Sequence, residues 1–196
     1  MSEQPRTEDP MLGPARAFVA RVQALDRAEL ASLKRNAGRT LGEARGAHWF
    51  YRLLDDHGWR DPEIHFLVAT LVGLNQPPFA GDFGKTMRCL AARQADGRDL
   101  QTTPAARRFA ILLDAEFERV DRHWGGGELA WRLRQTVRLA ASHEVGVDWP
   151  QLLVDLRQWQ RPGRPVRRRW AESFYASPNP NPGQHTTIHK EASDAD

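Results

Sequence analysis

The sequence predicts an all-α fold, a compact bundle of about nine helices, and three observations carry that prediction. Apolar residues recur at helical spacing through most of residues 12–176. No stretch holds several residues of period-two alternation, so no sheet is expected. Helix-start signals (Asp-Pro, Thr-Pro, a lone Asp) and stop signals (Gly, Pro-Gly) punctuate the pattern at helix-length intervals.

The elements follow in order. Phe18, Val22 and Leu25 keep helical spacing after Pro14. Asp26 is a side-chain cap for a second helix carrying Leu30, Leu33 and Ala37, which stops at Gly38. A third helix is expected over 44–56, with Trp49, Phe50, Leu53 and Leu54 on one side and Gly58 after it. Asp61-Pro62 opens the fourth as a cap with proline in the first turn; Ile64, Leu67, Val68, Leu71 and Val72 are its apolar positions. Gln76-Pro77-Pro78-Phe79 breaks the pattern, and a short helix follows over 83–94 with Phe83, Met87 and Leu90 aligned. Thr103-Pro104 starts the next, carrying Phe109, Leu112, Leu113, Phe117 and Val120. Gly125, Gly126 and Gly127 read as a turn before a long helix with Leu129, Leu133, Val137 and Ala140. Asp148 caps a helix holding Leu152, Leu153, Leu156 and Trp159. After Pro162-Gly163, Val166, Trp170 and Phe174 define the last.

Residues 1–11 read as a disordered lead and residues 177–196, rich in Pro and Asn, as a disordered tail. The helical domain spans 12–176, with a possible subdomain break near 73–82. Each tail carries a net charge of −2, so the total of +3 leaves +7 on residues 12–176. Of the 28 basic residues only Lys34, Lys85 and Lys190 are lysine. Arginine presents a planar fork that matches phosphate and stacks on bases, so a basic, arginine-rich body points to a polyanion partner. Arginine-favouring codons are the competing explanation.

Catalytic and cofactor chemistries find little support. Cys89 is the single cysteine, which rules out an intrachain disulfide and a multi-cysteine zinc site; beside Met87 and Leu90 it reads as a core thiol. None of the seven histidines forms a helical metal-binding pair in a structured segment. The glycine run at 125–127 lacks the spacing and lysine of a phosphate loop. Carboxylates such as Asp55, Asp56, Glu116 and Asp121 are scattered over expected solvent faces. No cofactor, no metal and no enzymatic activity are expected. The chain starts without an apolar signal segment and has no run of ~20 apolar residues, so a cytoplasmic protein without a membrane anchor is expected.

The basic clusters are the remaining signal. Lys34, Arg35 and Arg39 border the second helix's core stripe, where Arg45 and Arg52 can join them. On the long helix Arg134 and Arg138 sit one turn apart and point away from the core, with Arg132 on the opposite edge. Arg107 and Arg108 begin another helix, and Lys85, Arg88 and Arg93 populate the short one. Arg164, Arg167, Arg168 and Arg169 form a dense run beside Trp170. Such spacing permits a strip that tracks successive phosphates; Glu43, Asp155 and Glu172 are the acids placed to neutralise part of it. Of the seven tryptophans, Trp49, Trp159 and Trp170 fall on core stripes, while Trp124 and Trp131 fit them less well and are candidates for base stacking.

The order of these pieces resembles the CasB family. The stretches ALDRAELASLKRNAGRTL, FYRLL and FLVATLVGL, with Phe83-Gly84-Lys85, are similar to its first half. GGGELAWRLRQTVRLAASHEVGVDWPQLLVDLRQW and RRRWAESFY are similar to its closing helices. The likeness covers roughly residues 12–176 and omits both tails. It implies the all-helical, non-catalytic small subunit of a type I-E CRISPR Cascade complex. Such a subunit occurs in two copies, contacts the large subunit and the crRNA-bound backbone subunits, and helps hold target DNA and the displaced strand of the R-loop. By motif position the resemblance carries the nucleic-acid-binding role to Lys34, Arg35, Arg39, Arg107, Arg108, Arg132, Arg134, Arg138 and Arg168. Lys34 stands where arginine is expected, which keeps the charge and loses a bidentate contact. Two other readings remain open at this point: a stand-alone helical DNA-binding regulator, and a structural adaptor whose arginines meet acidic protein surfaces.

Overall fold

The computed structural model describes residues 9–74, 77–120 and 122–176. Among these residues the chain forms eight α-helices: α1 (Leu12–Gln23), α2 (Arg27–Asn36), α3 (Pro62–Val72), α4 (Phe83–Ala95), α5 (Pro104–Asp114), α6 (Gly127–Ser142), α7 (Trp149–Arg157) and α8 (Pro165–Tyr175). Three 3₁₀ segments (His48–Leu53, Gly58–Arg60, Leu100–Thr102) and two short strands, β1 (Glu118–Val120) and β2 (His123–Gly126), complete it.

Three of the eight helix starts are set by the expected caps. Asp26 Oδ1 accepts from Glu29 N–H at 2.8 Å, Thr103 Oγ1 from Ala106 N–H at 3.2 Å, and Asp148 Oδ1 from Gln151 N–H at 3.1 Å. Asp61 departs from expectation. Its carboxylate accepts from Arg157 Nε at 2.8 Å instead of capping α3, which ties that helix to α7.

The third expected helix is a 3₁₀ segment. Buried Ala47, Phe50 and Leu53 recur every three residues, and three residues per turn puts all of them on one face. Trp49 is therefore only half-buried; its indole donates to Gly46 O at 3.1 Å.

Helix α5 stops at Asp114, short of Phe117 and Val120, and tertiary donors take carbonyls at and just past its end. Trp159 Nε1 donates to Ala115 O at 3.1 Å and Arg167 to Leu113 O at 3.3 Å, while Leu129 N–H bonds Glu116 O at 3.1 Å. Beyond it the chain makes an antiparallel hairpin that the sequence pattern does not predict, Arg119 opposite Trp124 and Val120 opposite His123. Gly125 and Gly126 belong to β2 rather than to a turn, and Gly125 must be glycine: a Cβ there would lie 2.3 Å from Glu63 Cβ.

One apolar cluster runs from Phe18 in α1 through Phe50, Phe66, Met87, Phe109, Leu133 and Trp159 to Phe174 in α8. This cluster includes helices on both sides of the expected break near 73–82, within which Asn75 and Gln76 lie outside the described residues. Asp9 and Met11, expected in the disordered lead, are attached to the body: Asp9 accepts from Met11 N–H at 2.9 Å and from Gln158 Nε2 at 3.1 Å. The other lead residues, 1–8, the tail 177–196 and Asp121 lie outside the described residues. Cys89 is exposed rather than a core thiol. On α4 the buried stripe is Phe83, Met87, Leu90 and Ala91, and helical spacing turns Cys89 to the opposite side.

Candidate nucleic-acid interface

Some of the arginines hold the fold, some are paired with acids at the surface, and some face solvent without a carboxylate partner among the described residues. Arg21 pairs with Asp55 at 2.9 Å, and Arg157 with Asp61. Arg167 is buried: it pairs with Glu116 at 2.6 Å and stacks on Trp159 at 4.8 Å from the ring centroid. Its guanidinium holds the Glu116 carboxyl below the usual range. Arg164 also reaches Glu116, and Arg169 pairs with buried Asp155. Arg88 donates to Phe174 O at 3.1 Å and Arg93 to His143 O. Most of the dense run beside Trp170, with much of the α4 cluster, is therefore structural.

The other candidates form two groups. Lys34 and Arg35 lie exposed in the last turn of α2, and Arg39 follows exposed in the next turn, near Glu43. The Asn36 side chain bonds both the N–H and the C=O of Arg45 at 3.0 Å, which holds that exposed arginine beside the same helix end. Gly38, at φ 89°, packs directly on Arg134 of α6: a Cβ on Gly38 would lie 2.9 Å from Arg134 Cδ. The contact places Arg39, the next residue in the chain, close to Arg134, while Lys34 and Arg35 lie one turn back on α2 and Arg138 one turn further along α6. Among the described residues no carboxylate forms an ion pair with Lys34, Arg35, Arg134 or Arg138. Arg134 Nε is buried with no hydrogen-bond partner, and burial followed by the neighbouring Arg138 cation pushes the Arg134 pKa down. An anion at this surface would offset the cation–cation repulsion between Arg134 and Arg138.

The second group lies where α5 meets α6. Arg107 and Arg108 are exposed on α5. Arg108, Trp131, Arg132, Gln135 and Thr136 line a cavity of about 340 Å³. Arg132 is half-buried and held by Glu128 Oε1 through Nε at 2.7 Å and Nη2 at 2.5 Å. Arg168 joins neither group: it is exposed on α8 and faces Glu172 at 3.8 Å. Arg52, expected beside α2, does reach it, but as the partner of Glu29 and over the Trp49 ring at 5.5 Å. Of the acids singled out in the sequence, Asp155 and Glu172 meet Arg169 and Arg168, while the Glu43 carboxylate accepts from Thr40 N–H and Oγ1.

Arg119 carries no signal in the sequence pattern. Its guanidinium lies over the Trp124 ring at 5.2 Å, and it faces Arg39 across a groove of about 500 Å³. That groove also holds Glu43 and Glu118, so its charges balance. By sequence Gly38 is only a helix stop; its value as the contact point for Arg134 has no local signal.

Among the described residues no group of three or more His, Cys, Asp or Glu is placed to hold a metal, and no helix is long and apolar enough to cross a membrane.

Comparison with known proteins gives consistent matches. The family model described as CRISPR-associated protein Cse2 matches residues 29–175. A CRISPR-associated protein Cse2 of Thermus thermophilus is 34% identical over 123 residues, which is 61% of this chain and 61% of that relative's length. The crystal structure of a Cse2-family protein from Thermus thermophilus superposes with a TM-score of 0.65 at 27% identity, covering 87% of this chain and 100% of that one. A chain of a solved CRISPR RNA-guided surveillance complex shares the fold, with a TM-score of 0.63 at 20% identity over 84% of this chain and 92% of its own.

Proposed function

Because this chain belongs to the CRISPR-associated Cse2 family, we propose that it is the non-catalytic small subunit of a type I-E Cascade surveillance complex, gripping nucleic-acid backbone with the joined α2–α6 surface. The observation that carries this reading is the seam at Gly38. It fastens the chain segment that follows the α2 cluster onto Arg134 of the α6 cluster, and the Nε of that arginine is buried without an acceptor.

The physical role follows from the energetics of strand exchange. A guide–target heteroduplex is about as stable as the DNA duplex it replaces, so contacts to backbone can tip the balance. Arginines that meet phosphates hold any sequence equally well, and sequence reading is left to the guide. The partners in this reading are crRNA, target DNA, the large subunit and the backbone subunits, with two copies of this chain per complex in the cytoplasm. A non-catalytic role agrees with the engagement of Asp55, Asp61, Glu116 and Asp155, each of which is held by an arginine.

The test is reconstitution with wild-type chain or with Arg35→Gln, Arg134→Gln and Arg138→Gln combined. The expected result is intact assembly with reduced R-loop formation, read by permanganate reactivity of the displaced strand. Unchanged R-loop yield would reject the assignment of this surface.

A further inference from the structure

We propose that the outer face of α6 carries a nucleobase-stacking site for single-stranded DNA, with Trp131 as the platform and Arg108, Arg132 and Gln135 as its walls. The inference rests on the nucleic-acid reading above and adds a site that charge alone does not define.

Trp131 is the first observation. It is 53% exposed on a helix whose core stripe of Leu129, Leu133, Val137 and Ala140 is fully buried. The other strongly exposed aromatics also have ring or cation neighbours. Trp59 stacks on Tyr51 with centroids 5.5 Å apart and planes 14° apart, Trp124 lies under Arg119, and Tyr175 meets the Phe174 ring edge-on. Trp131 likewise has a cation over its ring, the Arg132 guanidinium 5.8 Å from its centroid, and it also lines a cavity together with Arg108 and Gln135.

Helical spacing is the second. Trp131, Arg134, Gln135 and Arg138 stand at i, i+3, i+4 and i+7, so they form one stripe along α6. That stripe joins the cavity on the α5 side to the cationic surface at Gly38. A strand laid along it would meet an indole face and cations in alternation, the arrangement that single-strand binders use.

The cavity is the third. At about 340 Å³ it lies within the ~300–1,000 Å³ typical of small-molecule sites. Its groups divide the work. Glu128 pins Arg132 by two hydrogen bonds, which fixes that wall and neutralises its charge. Arg108 is exposed and forms no ion pair among the described residues, so it is available to a phosphate. Gln135 offers an amide donor and acceptor to a base edge, and Trp131 offers a π-face that every base can use.

The test uses the full-length chain and two strands of equal length and charge, oligothymidylate and an abasic DNA strand. Their affinities are measured by fluorescence anisotropy for wild type, Trp131→Ala and Trp131→Phe, with circular dichroism melts for each. Stacking on an aromatic is worth enough that Trp131→Ala should weaken oligothymidylate binding about tenfold. Trp131→Phe should retain most of the affinity, and abasic-strand binding should not change. Equal affinities of wild type and Trp131→Ala for oligothymidylate would overturn the proposal, as would equal losses on both strands. If wild type binds neither strand, the backbone-binding reading fails first and the stacking site with it. A loss confined to oligouridylate in a parallel RNA series would overturn the assignment to DNA.

Discussion

Gly38 and Arg134 lie against each other: a Cβ on Gly38 would come within 2.9 Å of Arg134 Cδ and 3.2 Å of Nη1. Gly38 also sits at φ 89°, where a side chain is strained. Gly38→Ala therefore meets two penalties, one from its own backbone and one from displacing Arg134. The expected cost is about 1–2 kcal/mol in urea denaturation, with weaker strand binding in the same variant.

The α4–α8 contact is closer still. A Cβ on Gly84 would lie 2.1 Å from Trp170 O, a backbone atom that no rotamer change can move. Trp170 is also fully buried against Phe83 and Trp159, with ring centroids 5.2 and 4.9 Å apart. Gly84→Ala should cost about 3 kcal/mol, and a thermal melt of the variant beside wild type checks it.

Asp155 titrates unusually. It is fully buried, and accepts from Gln151 Nε2 at 2.7 Å, from Trp170 Nε1 at 2.5 Å and from Arg169. Burial outweighs these partners and raises its pKa from 3.8 to about 6. An acid whose folded pKa is the higher one binds its proton more tightly in the folded chain. Its contribution to stability is fully present below about pH 4 and is lost as pH rises through about 6. Asp155→Asn removes that dependence. The stability difference, wild type minus variant, should therefore grow as pH falls from about 6 to about 4. The other carboxylates are common to both proteins and cancel. Denaturation midpoints that stay parallel across this window would contradict the assignment.

Asp148 acts at two places. Oδ1 caps α7 through Gln151 N–H, and Oδ2 accepts from Gly81 N–H at 3.1 Å, which fastens the approach to α4. Asp148→Ala should lose about 1–2 kcal/mol, more than a surface cap alone, and Asp148→Asn should recover part of it; urea denaturation of the three proteins side by side checks both.

The elements legible in the sequence are those with local causes. Asp26, Thr103 and Asp148 cap where their spacing places them, and Val166, Trp170 and Phe174 form the buried stripe of α8. The errors lie where tertiary contacts decide. Asp61 looks like a cap until Arg157 claims its carboxylate. Helix α5 looks continuous to Val120 until Trp159, Arg167 and Leu129 capture its end. The same holds for the candidate interface. Off-core spacing identifies Arg134 and Arg138, but whether an arginine is free depends on acids from other elements. Arg167 and Arg169 look like phosphate binders by sequence and are ion-paired to Glu116 and Asp155. The meeting of Gly38 with Arg134 of α6 is a long-range contact that no spacing rule contains.

The central claim is that Arg35, Arg134 and Arg138 together meet nucleic-acid backbone, and the salt dependence of single-stranded DNA affinity tests it most directly. Each phosphate contact on a single strand contributes about 0.7 to the slope of log affinity against log salt. Replacing all three arginines by glutamine should lower that slope by about 2 with helicity and melting temperature near wild type. An unchanged slope in a folded triple variant would contradict the account.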